Sequence, residues 1–171
     1  MKVEGSNFFE EVVDAHYRAL YRFAFTLSRN EHDACDLTQQ TFTIFAKNRE
    51  SLRDSSKVKS WLFTTLYREF IRQNKKNKRT DHQDPDQLAK TMVLSETPDL
   101  NQSDHPRILA ALHQLDEVYR APLTLYYLQN LSYREIAESL AVPIGTIMSR
   151  LSRGKNRLKE IFLESEELTE Q

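Results

Sequence analysis

Between Arg150 and Lys159 the chain reads RLSRGKNRLK, which sets Arg150, Arg153, Lys155, Arg157 and Lys159 together with no acid before Glu160. Cations this dense do not pair within their own segment, so they call for an external polyanion. They suit two kinds of chemistry. Lysine and arginine neutralise phosphates and release condensed counterions, and arginine also grips a guanine edge with two parallel hydrogen bonds. Just upstream, Thr146 and Ser149 offer short hydroxyls of the kind that reach base edges. A second basic block, WLFTTLYREFIRQNKKNKR from Trp61 to Arg79, mixes aromatics with charge at helical spacing. Tyr67, Arg68, Arg72, Lys75 and Lys76 could there combine base stacking with phosphate neutralisation, the two terms that hold single strands. Like charges four residues apart, Arg68 with Arg72 and Arg72 with Lys76, repel unless something compensates them. Trp61 and Phe70 fall on the apolar stripe of the same segment and read as core.

Other chemistries find little support. His32 and Cys35 stand three apart, and two ligands are too few for a structural zinc site. A glycine-rich phosphate loop is missing, which argues against nucleotide hydrolysis. The expectation is a binding protein, not an enzyme, with neither cofactor nor metal.

These residues need rigid elements to position them, and the composition favours helices. Charged residues make up 29% of the 171-residue chain, against 3 glycines and 5 prolines. Apolar residues at three- and four-residue steps predict a helix from Phe8 to Arg29. A second helix, capped by Asn30, runs to Asn48 with Ala34, Leu37, Thr41, Ile44 and Phe45 inward. A third starts near Lys57 and buries Val58, Trp61, Leu62, Thr65, Leu66 and Phe70. Helical pattern resumes at Arg107 and passes through APLTLYYLQN, where Pro122 suits a first turn.

Two further helices carry the strongest local signal. Ser132 and Glu135 form a capping box for a helix ending at Leu140, and Pro143 opens a longer one to about Leu163. Ile136, Ala137, Leu140, Val142, Ile147 and Leu151 supply one apolar seam between them. That is helix-turn-helix spacing, with Ala141 in the turn where glycine is commoner. The second helix then directs Thr146, Ser149, Arg150 and Arg153 at base edges, with Lys155 and Arg157 left for phosphates. Tyr133 and Arg134, in the first turn of the preceding helix, meet backbone near its positive dipole end.

The formal net charge of −1 hides a segregation. The stretch from Lys57 to Arg79 holds many cations and a single acid, Glu69, whereas Asp81 to Asp104 is acidic apart from Lys90. The acidic stretch also contains prolines and loses helical periodicity, which marks a flexible linker over 80–106. The reading is all-α: two small helical domains, 1–79 and 107–171, joined by that acidic linker, the second ending in the helix-turn-helix. A lone Cys35 fits a reducing compartment. The N-terminus MKVEGSNFFEEVV has no signal-peptide core, and no apolar run is long enough for membrane insertion, so a cytoplasmic location is expected.

Taken in order, these segments resemble bacterial sigma factors of the extracytoplasmic-function group, over about Phe8 to Lys159. DA-x-DL-x-Q at Asp33, Ala34, Asp36, Leu37 and Gln39 is similar to the group's first characteristic stretch. KSWLFTTLYREFIRQNKKNKR resembles the helix that opens the minus-ten promoter element, and GTIMSRLSRGKNRL approaches the GTV-x-SRL-x-RA pattern of the minus-thirty-five reader. The resemblance implies core RNA polymerase and promoter DNA as partners, with an anti-sigma factor as inhibitor. It implies that Asp36, Leu37, Gln39, Gln40 and Thr43 dock on the polymerase clamp, although Gln40 stands where a Glu is usual. Arg68 and Arg72 stand where Asn and Asp are common, so the minus-ten sequence does not carry over. A stand-alone helix-turn-helix regulator is the alternative, but it leaves Trp61 to Arg79 without a role.

Overall fold

The computed structural model describes residues 4–52, 54–80 and 105–167. The first half is three helices: α1 (Glu4–Ser28), α2 (Glu31–Asn48) and, after a 3-10 turn at Arg49–Ser51, α3 (Ser55–Thr80). The second half is four: α4 (His105–His113), α5 (Glu117–Gln129), α6 (Tyr133–Leu140) and α7 (Ile144–Glu167). Among the described residues there is no strand. The acidic stretch read as a linker lies, from 81 to 104, outside the described residues; its last two positions, His105 and Pro106, already belong to α4.

The α1–α2 corner follows from two residues. Arg29 takes a left-handed backbone (φ 58°), which ends α1. Asn30 Oδ1 then accepts the Asp33 amide at 3.1 Å, and the acids Glu31 and Asp33 sit at the positive end of α2. Inside α2, Thr38 and Thr41 are buried but return their hydroxyls to the Ala34 and Leu37 carbonyls, each at 2.7 Å. They therefore enter the core without an unsatisfied donor. Ile44, expected inside, is only half-buried, and Phe42 is buried in its place. Phe63 of α3 meets Phe23 of α1 edge-on at 5.5 Å, and both rings are fully buried. Each contributes about 1.5–3 kcal/mol of burial.

In the second half, α5 begins at Glu117, so Pro122 lies inside the helix and not in its first turn. The absent proline N–H removes one bond of the ladder, the one that would reach the Val118 carbonyl. α5 tolerates this because Pro122 and its neighbours Ala121 and Leu123 are buried, which holds the helix from outside. α7 also continues to Glu167, one turn past the end near Leu163 expected from the sequence.

The two halves dock. α1 packs on α5, and α3 packs on α6, so the buried residues form one continuous cluster. Polar clasps cross the junction. Lys59 Nζ donates to the Gln129 carbonyl at 2.6 Å, and Gln129 Nε2 donates to the Ala19 carbonyl at 3.4 Å. The Arg29 guanidinium donates to the His113 carbonyl and, at 3.5 Å, to that of Leu115. The His113 ring lies 5.4 Å from that of Phe25.

Candidate nucleic-acid interface

The recognition unit is built by caps. Ser132 Oγ accepts the Glu135 amide at 3.3 Å, while the Glu135 carboxylate accepts the Ser132 amide at 2.8 Å and its hydroxyl at 2.7 Å. These bonds hold the Glu135 carboxyl below the usual range and fix where α6 starts. At the other end Ala141 adopts φ 54°, and its amide reaches the carbonyls of Ala137 and Glu138. The Val142 amide closes on Ala137 at 3.1 Å, so the turn is a Schellman-type stop in which alanine occupies a glycine conformation. The Pro143 carbonyl then accepts the Thr146 and Ile147 amides and launches α7. Ile136, Ala137, Leu140, Ile147 and Leu151 are buried along the seam, with Val142 half-buried. The helix-turn-helix is formed as its spacing implies.

Rotation along α7 sorts the polar residues. At 100° per residue, Thr146, Ser149, Arg150, Arg153 and Arg157 fall within an arc of about 100°. Ser149, Arg153 and Arg157 are exposed, while Thr146 and Arg150 are half-buried. Lys155 lies on the opposite side and does not join them: its ammonium sits 4.5 Å from the Tyr126 ring centre and 5.9 Å from that of Tyr127. The sequence grouped Lys155 with Arg157 by proximity alone, and the helix turns them apart. Arg157 also covers an aromatic face, with its guanidinium carbon 5.6 Å from the Tyr119 ring centre. At the head of α6, Arg134 is exposed, and Tyr133 is half-buried against Tyr126 at 5.6 Å.

On α3 the same construction gives a second arc. Arg68, Arg72, Lys75 and Lys76 share the exposed side. Glu69 compensates part of their repulsion, accepting from Arg72 Nη2 at 2.5 Å and from Nε at 3.0 Å. Tyr67 is rotated away from this arc toward Phe70, its ring centre 6.4 Å from that of Phe70. Burial raises its hydroxyl pKa and Glu117 raises it further, with Arg150 opposing, so Tyr67 faces the second half. The aromatic that shares the cation side is Trp61, half-buried and 5.9 Å from the Phe45 ring. Sequence reasoning assigned Trp61 to the core, and it does pack against the core, while its spacing of seven from Arg68 and fourteen from Lys75 also sets it on the cation side.

The exposed side of α2 presents Asp36, Gln39, Gln40 and Thr43 within one arc of about 100°. His32 Nε2 lies 3.5 Å from the Asp36 carboxylate, and Thr43 donates back to the Gln39 carbonyl at 2.8 Å. Leu37 does not belong to this surface. It is 1% exposed and packs in the core, so its place in the DL pair is structural. No helix among the described residues is long and apolar enough to cross a membrane.

Comparison with known proteins agrees with this geometry. Residues 12–80 match the model for Sigma-70 region 2, and residues 105–158 match that for Sigma-70, region 4. The chain is 32% identical to the ECF RNA polymerase sigma factor SigE of Mycolicibacterium smegmatis, over 88% of this chain and 60% of that protein. It is 29% identical to SigM of Bacillus subtilis, over 90% of this chain and 94% of the relative. Among solved structures, the sigma factor RpoE of Bartonella quintana, in complex with the anti-sigma factor NepR, superposes with a TM-score of 0.75. That match has 30% identity and covers 90% of this chain and 96% of the other. The fold and site define a promoter-recognition subunit of bacterial transcription. The chain belongs to the sigma-70 family, within the extracytoplasmic-function group.

Proposed function

We propose that this protein is an alternative sigma factor that binds core RNA polymerase and directs it to a particular set of promoters. The observation that carries the reading is the pairing, on one chain and in this order, of a region 2 and a region 4 module, each with an exposed cationic helix side. In this reading the α2 arc of Asp36, Gln39, Gln40 and Thr43 docks on the polymerase clamp. Arg68, Arg72, Lys75 and Lys76, with Trp61 beside them, engage the minus-ten element, whereas Tyr67, turned toward the second half, stands off this surface. Thr146, Ser149, Arg150 and Arg153 reach base edges of the minus-thirty-five element, while Arg157, Tyr133 and Arg134 position the backbone. The protein contributes binding and positioning and no catalysis of its own, and it acts in the cytoplasm where the polymerase works.

The Bartonella quintana relative is bound by an anti-sigma factor, and we extend that kind of partner to this chain. The direct test is reconstitution. Core polymerase with this protein should produce promoter-specific transcripts from genomic templates, and neither component alone should do so. Specific duplex binding of equal strength with and without polymerase would instead favour a stand-alone regulator.

A further inference from the structure

We infer that the crevice between the α1–α2 corner and the head of α5 is a binding site for a small phosphate monoester, gripped by Arg29 and Arg120 with His113 beside them. The inference is independent of the promoter reading, and it starts from two guanidiniums without an acid. Arg29 Nη2 and Arg120 Nη1 both donate to the Leu115 carbonyl, at 3.5 and 3.1 Å. Two like charges that meet on one neutral oxygen repel each other. Among the described residues no carboxylate closes an ion pair with either guanidinium. Arg120 is 5% exposed, and its Nε has no protein partner. Nε2 of His113 is buried without one as well. Buried cations and donors of this kind are ordinarily paired.

All three side chains line the same crevice, whose volume of about 740 Å³ is within the range of small-molecule sites. Phe70 gives it an apolar wall, and Gln73 and Asn74, also on α3, add neutral amides. The head of α5 adds donors. Asp116 stands at its N-cap but makes no side-chain capping bond, so the positive end of the helix is left uncovered. The other charges on the crevice are the acids Asp33, Asp116 and Glu117, and they set the ligand class. Three carboxylates disfavour a polyphosphate or a nucleic-acid backbone, whereas the arginine pair calls for one compact oxyanion. Donors from three side chains match the three terminal oxygens of a phosphate monoester better than the two of a carboxylate. The neutral amides and Phe70 then suit an uncharged body. His113 supplies a built-in reporter. Burial first, then Arg120 and Arg29, lowers its pKa from 6.5 to about 4. An oxyanion among these groups opposes both arginine charges and favours the imidazolium.

The test titrates phenyl phosphate into the full-length protein at constant ionic strength, with benzoate as the carboxylate counterpart. Phenyl phosphate should raise the thermal midpoint along a saturating curve, as a ligand of the folded state does. It should also raise the His113 pKa by about one unit, a roughly tenfold gain in proton affinity, while the other histidines stay put. Ring-proton NMR shifts read this change, and His113→Gln assigns the signal. Arg29 has a left-handed backbone that glycine adopts freely, so Arg29→Gly keeps the α1 stop and deletes one guanidinium. That variant should bind phenyl phosphate about tenfold more weakly or worse, the scale of losing a charge-assisted hydrogen bond. Arg120→Met should do the same; if it fails to fold, Arg29→Gly and the His113 shift decide the matter. Benzoate that binds as tightly as phenyl phosphate overturns the phosphate assignment. A His113 pKa unmoved at saturating phenyl phosphate, or Arg29→Gly binding as the wild type does, overturns the site.

Discussion

Gly154 lies on the face of α7 that packs against α5, at the position where the SRL-x-RA pattern carries alanine. Gly154→Ala should destabilise the protein, and the size can be worked from the contacts. A methyl group there would stand 2.8 Å from Leu123 Cδ1, 3.3 Å from Leu123 Cγ and 3.2 Å from Tyr119 Cβ. Alanine in a helix interior gains about 1 kcal/mol over glycine, whereas overpacking a core costs typically 1–3 kcal/mol. The contact with Leu123 Cδ1 is the far end of a side chain, but Leu123 is fully buried, so its rotation displaces other core atoms. Tyr119 Cβ cannot swing away, because it moves only with the α5 backbone. Overpacking near 2 kcal/mol therefore outweighs the helical gain, for a net loss of about 1 kcal/mol. Urea unfolding should show a lower midpoint at unchanged slope. Leu123→Val, which shortens the offending side chain, should couple favourably with Gly154→Ala by about 1 kcal/mol in a double-mutant cycle. A Gly154→Ala protein with a raised midpoint would mean that α5 and α7 have room to spare, and the argument from contact distances would fail.

Further expectations concern pH, DNA and polymerase. Burial first, then Arg120 and Arg29, lowers the His113 pKa from 6.5 to about 4, so its stabilising contribution is complete above pH 6.5 and declines as pH falls toward 4. Urea midpoints should fall between pH 7 and 5 by an amount equivalent to at most about 2 kcal/mol beyond that of His113→Gln; parallel profiles would remove His113 as the cause. Arg150→Ala should cost about 1–3 kcal/mol on the preferred minus-thirty-five duplex and flatten discrimination at one or two base pairs, as measured by titration against scrambled duplexes. Arg157→Ala should reduce the salt slope of binding by about one, whereas Lys155→Ala, off the arc, should leave it unchanged; the opposite result would invert the assignment of helix faces. Asp36→Arg and Gln40→Arg should weaken co-purification with core polymerase while shifting stability by less than about 0.5 kcal/mol, and Leu37→Arg should fail to fold.

What the sequence disclosed was set by how local the physics is. The Ser132–Glu135 box, the Asn30 cap and the Pro143 start are each decided within four residues, and each forms where the spacing put it. Helix faces were legible when apolar residues marked them, as along the α6–α7 seam. They were less legible among cations, where Lys155 and Arg157 differ only by rotation. Leu37 shows a related ambiguity, since a motif position can recur because it faces a partner or because it fills a core, and only its burial separates the two. The docking of the halves left almost no trace in residue types. Arg29, Lys59 and Gln129 resemble ordinary surface residues, and their partners are main-chain carbonyls, which every residue possesses. The buried apolar residues of both halves join one cluster, so the spacing that marks a helix face does not say which half covers it. The docked state is therefore hidden because periodicity marks an inward face without naming the helix that covers it, and a carbonyl acceptor carries no residue identity.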